Sequence, residues 1–72
     1  MGLLVFRTDI KSKKKVKSLK LLFNRNVEIL RWNVDLEDID NVLRIEATEY
    51  ISERDVMEMV SLKGFYIQPL PD

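Results

Sequence analysis

The chain has 72 residues, with twelve Lys and Arg against twelve Asp and Glu, and it contains neither cysteine nor histidine. That length makes one domain, residues 1–72, burying about 60% of the surface its unfolded chain exposes. The missing residue types exclude disulfides, thiolate nucleophiles, cysteine-ligated metals and every catalytic arrangement built on imidazole. Four serines (Ser12, Ser18, Ser52 and Ser61) remain, with lysine alone available as an activating base, so no catalytic site is expected. The zero formal charge hides an asymmetry. Residues 1–26 hold Arg7, Lys11, Lys13, Lys14, Lys15, Lys17, Lys20 and Arg25 against Asp9, whereas the remainder holds four cations and eleven acids. The apolar run Leu3-Leu4-Val5-Phe6 is too short for a secretory h-region and ends at Arg7, and nothing approaches the ~20 apolar residues of a membrane span. A cytoplasmic location without membrane association is the expectation.

Leu3 to Thr8 has the length and composition of a strand. From Lys11 to Phe23 the period becomes helical: Val16, Leu19, Leu22 and Phe23 fall on one stripe and the lysines fill the remaining circumference. Asn24 and Asn26, around Arg25, suit a helix end and turn. Leu30, Trp32, Val34 and Leu36 then alternate with Arg31, Asn33 and Asp35, as a half-buried strand requires. Glu37-Asp38-Ile39-Asp40-Asn41 reads as a hairpin, after which Leu43, Ile45 and Ala47 resume the alternation. Ser52 and Asp55 form a capping-box variant opening a second helix whose buried stripe is Val56, Met59 and Val60. Gly64 fits the C′ position, and Phe65 to Leu70 is a last strand containing Pro69.

The order strand, helix, strand, strand, helix, strand is the split βαβ pattern. It predicts an α+β, ferredoxin-like βαββαβ fold with a four-stranded antiparallel sheet and both helices on one face. Right-handed crossovers put the first and third strands in the centre. Pro69 and Pro71 agree with an edge position for the last strand.

Ile29-x-x-Trp32-x-Val34-Asp35-Leu36 stands where heavy-metal-associated domains have a Val-x-x-Val-x-Val-x-Leu strand. Leu43-x-Ile45, Ser52-x-x-Asp55 and Gly64-Phe65 fall at matching places. On these residues the chain resembles the heavy-metal-associated family of copper chaperones and metal-ATPase modules over nearly its whole length. Residues Asp35 to Ile45 are also similar to short bacterial relatives that lack the metal motif. The family carries Met-x-Cys-x-x-Cys between the first strand and first helix, where this chain reads Arg7-Thr8-Asp9-Ile10-Lys11-Ser12-Lys13. One register sets Asp9 and Ser12 at the cysteine positions, and the other sets Ile10 and Lys13 there. Neither supplies the soft ligands Cu(I) requires, so no metal and no cofactor is expected.

The lysine-rich first helix is the candidate partner-binding surface, formed by Lys11, Lys13, Lys14, Lys15, Lys17 and Lys20. Its bland alternative is a solvated face. As a functional surface it would meet an acidic protein partner by complementary charge, as metal-carrying relatives dock around their metal loop. A nucleic-acid or anionic-ligand role through the same patch is less favoured. The aromatic run of RNA-recognition domains is missing from the third strand, where Val42, Arg44 and Glu46 stand. A third reading is residual metal binding without cysteines. Glu37, Asp38 and Asp40 could attract a hard cation, but they lack the glycine and distal glutamate of an EF-hand loop and read as turn residues. Trp32 shares the parity of core residues, and Met57 and Met59 read as helix packing. Either Leu3 and Val5 or Leu4 and Phe6 must face away from the helices, with Val27, Ile29 and Val42 leaning to the same outer side. Self-association through that face, or through the edge of the second strand, is a further expectation.

Overall fold

Alternation and helical period resolve into six elements in the computed structural model, which describes residues 2–70. They are β1 (Gly2–Thr8), α1 (Lys13–Asn24), β2 (Ile29–Asp35), β3 (Val42–Ala47), α2 (Glu53–Leu62) and β4 (Ile67–Pro69). The strands form one antiparallel sheet in the order β2-β3-β1-β4, so β1 and β3 are central as the crossover rule requires. Phe6, Leu43 and Ile45 of the sheet share one core cluster with Leu19 and Phe23 of α1 and Val56 and Val60 of α2. A single cluster common to both helices puts them on the same sheet face. The ferredoxin-like α+β architecture is therefore the observed one. Pro69 lies in an edge strand, where its missing N–H costs no ladder bond; Pro71 lies outside the described residues.

Both helices begin on a serine. Ser12 is extended (φ −143°, ψ 158°), and its hydroxyl accepts from the Lys15 N–H at 3.2 Å. The helix therefore starts at Lys13, two residues after the Lys11 expected from periodicity, because the cap satisfies an orphan donor there. At α2 the capping box is complete: Asp55 N–H donates to the Ser52 hydroxyl at 3.2 Å, and Ser52 N–H donates to Asp55 Oδ2 at 2.9 Å. Gly64 follows that helix at φ 92°, a left-handed conformation in which a Cβ is strained.

The sequence expectation fails at β2. Ile29 pairs with Ala47 and Arg31 with Glu46, so Leu30 is the extra residue of a bulge. The bulge inverts side-chain parity along the strand. Ile29, expected outside, is 9% exposed in the core, while Leu30, expected inside, is 51% exposed. Beyond the bulge Trp32 and Val34 face the helices as expected, and Leu36 belongs to the turn rather than the strand. β4 is shorter than its expected span from Phe65 to Leu70, although the Leu70 N–H still bonds to the Val5 carbonyl at 3.0 Å.

Candidate functional site

The loop between β1 and α1 is where the family resemblance would place metal ligands, and its Asp9, Ile10 and Ser12 are engaged in holding the fold. The Asp9 carboxylate accepts from the Tyr66 N–H at 2.9 Å, and Asp9 N–H donates back to the Tyr66 carbonyl at 3.4 Å. That pair ties the loop to the segment entering β4. Ser12 caps α1. In the other register Ile10 is fully buried and Lys13 is the first exposed residue of the helix. Thr8 fastens the loop from behind: its hydroxyl donates to the Asn41 carbonyl at 2.6 Å and accepts from the Ile10 N–H at 3.2 Å. Among the described residues, no group of three acidic side chains is placed to hold a metal ion.

Lys11, Lys13, Lys14, Lys15, Lys17 and Lys20 are all exposed. The ion pairs among the described residues are Arg7 Nε to Asp40 Oδ1 at 3.4 Å and Arg31 Nε to Glu46 Oε2 at 4.0 Å, so none of the six lysines is paired. Helical spacing sorts them. Lys13, Lys17 and Lys20 fall at i, i+4 and i+7 and continue to Asn24, whose Oδ1 accepts the Trp32 Nε1–H at 3.2 Å. That stripe runs along the flank of α1 above β2. Lys14 begins a second stripe through Ser18, Leu21 and Arg25, the last two of which line a groove with Met59 and Lys63 beside α2. Lys13, Lys14 and Lys15 occupy the first turn, which holds no acidic residue. A first turn of lysines faces the positive end of the helix dipole.

The acidic hairpin lies at the same end of the sheet, held to β1 by the Thr8 N–H, which donates to the Asp40 carbonyl at 3.0 Å. Its carboxylates serve the turn: Asp35 Oδ1 accepts from Glu37 N–H at 3.1 Å and Asp38 Oδ1 from Asp40 N–H at 2.8 Å. Asn41 takes a positive φ of 43° there. Trp32 packs edge-on against Phe23, ring centroids 5.0 Å apart. On the open sheet face Leu3 is 60% exposed and Val5 half-buried, while Val42, though on that face, is 4% exposed. Ile29 is not part of this face, and Val27 sits 82% exposed in the turn after α1 rather than on the sheet. Sequence reasoning missed the groove between the helices, lined by Leu21, Leu22, Val27 and Met59. Leu21 lies opposite the buried stripe of α1, a position that the helical period does disclose.

No protein-family model and no curated protein matches the chain. A solved structure described as a CsoZ metallochaperone superposes with a TM-score of 0.78 at 13% identity, covering 93% of this chain and 96% of that one. At that identity the likeness is one of fold.

Proposed function

We propose that this chain is a metal-free protein-binding module: a heavy-metal-associated-like scaffold whose lysine-rich first helix docks an acidic protein surface. The observation that carries the reading is the set of six exposed lysines, unpaired among the described residues, three of them in the first turn of α1. Each of those three opposes the helix dipole at a cost of about 0.3–1 kcal/mol at low ionic strength. A face needed for solubility alone could carry acids there and gain stability. The engagement of Asp9 with Tyr66 and of Ser12 with the helix cap supports a role apart from metal transfer. Charge-driven docking is steered at long range and weakens with salt.

The test is capture from the source cells on immobilised protein at low and high salt, with and without nuclease. The expected result is a protein partner retained after nuclease, released by salt, and lost with Lys13/Lys14/Lys15→Glu. A partner held equally by that variant would overturn the reading. Nucleic acid as the captured species would replace it with the phosphate-binding alternative, and metal retained by the gently purified protein would revive the metal role.

A further inference from the structure

The lysines on one flank of α1 border an unpaired strand edge. β2 is the outermost strand of the sheet, and among the described residues nothing pairs with its far side. The flank of α1 above it is fixed by the Asn24–Trp32 hydrogen bond and carries Lys13, Lys17 and Lys20. An open edge offers a row of unsatisfied backbone N–H and C=O groups on which an extended peptide can add as a further strand. Lys13 and Lys17 stand about 6 Å apart along the helix axis at 1.5 Å per residue. Same-face residues of an added strand stand about 6.6 Å apart. Lys17 and Lys20 stand about 4.5 Å apart on the same rise, a shortfall of about 2 Å that the flexible lysine stems can take up. Acids at alternate positions of such a strand would thus meet successive lysines.

We infer that the free edge of β2 is the docking line of an extended acidic peptide segment, its backbone completing the sheet and its alternate carboxylates reaching Lys13, Lys17 and Lys20. The inference rests on the protein-binding reading and specifies its partner. A second copy of this chain is the poorer occupant. Antiparallel pairing of two β2 edges about a two-fold axis normal to the sheet would bring both lysine flanks face to face, and like charges there repel. The same lysines therefore discourage edge-to-edge self-pairing while attracting an acidic strand. The bulge at Leu30 breaks regular pairing at one end, leaving Arg31 to Asp35 as the regular part of the edge.

The experiment is a titration of isotope-labelled protein with a peptide of alternating glutamate and threonine, matched to the seven residues of β2, followed by NMR and amide hydrogen exchange. The same peptide N-methylated at alternate backbone positions serves as control, since it keeps the charge and loses the donors. The expected result is binding at low salt with slowed exchange of edge-facing β2 amides. N-methylation in one of the two possible frames should abolish it. Lys13/Lys17/Lys20→Glu should weaken it on the order of tenfold or more, and Lys14→Glu by less than about threefold. Binding that shifts lysine-bearing residues but leaves β2 exchange unchanged and survives N-methylation in both frames would overturn the edge inference while sparing the helix-patch reading. No binding at low salt would overturn the edge inference; partner capture then decides the broader reading separately.

Discussion

Asp55 shows how one carboxyl can do the work of a local clamp. The Ser52 backbone N–H, then the Ser52 hydroxyl, hold its pKa below the ordinary carboxylate value; Arg54 adds to the effect and slight desolvation opposes it. A carboxyl whose folded pKa is depressed stabilises the fold above its unfolded pKa, and that contribution is lost as pH falls through the folded value. Carboxyl-carbon NMR titration should place Asp55 below the usual range in the native chain and shift it upward in Ser52→Ala. An unchanged titration would mean that the hydroxyl adds nothing and that the Ser52 backbone N–H, which the variant keeps, sets the value alone. Asp9 and Ser12 belong to the same class of residue. Both are spent on the fold, Asp9 on the Tyr66 backbone and Ser12 on the first turn of α1.

At the scale of elements, β2 is where local pattern and tertiary structure part. Because Leu30 is the extra residue of the bulge, Ile29→Asp should unfold the domain, while Leu30→Asp should change stability by less than about 0.5 kcal/mol. Urea melts of the two variants decide the matter; similar losses in both would contradict the bulge. Reading Leu30 as inward followed from strict period-2 alternation, and nothing in Glu28-Ile29-Leu30-Arg31 marks an inserted residue, since a bulge is fixed by pairing with β3 rather than by its own strand. The helices were legible for the opposite reason. Ser52, Asp55 and Gly64 act within one turn of their own chain, so their roles follow from local spacing. Ser12 acts just as locally, yet the helical period alone set the start of α1 at Lys11 and passed over its cap. The lysines were legible as a patch and helical spacing divides them into stripes, but which stripe overlies β2 required knowing that Asn24 meets Trp32.

For the whole molecule, the proposed binding and the stability of the fold pull on the same residues. A 72-residue domain has roughly 4–11 kcal/mol to lose, and the lysines in the first turn of α1 subtract from it. Lys13/Lys14/Lys15→Glu should therefore raise stability by about 1–2 kcal/mol at low salt, or roughly 5–15 °C in Tm, even as it removes partner capture. Thermal melts on the variant used for capture check this, and a lowered Tm would show that the first turn does not feel the dipole. The gain should shrink in high salt, where exposed charges are screened beyond about 10 Å. Trp32 is the sole tryptophan of the chain, seated edge-on against Phe23 with its indole N–H on Asn24, at the seam where α1 meets β2. The protein therefore carries an intrinsic fluorophore at the boundary between core and strand edge. Ultraviolet emission from the unlabelled chain can follow events at that boundary in real time, without a dye that would alter the charge of the surface being studied.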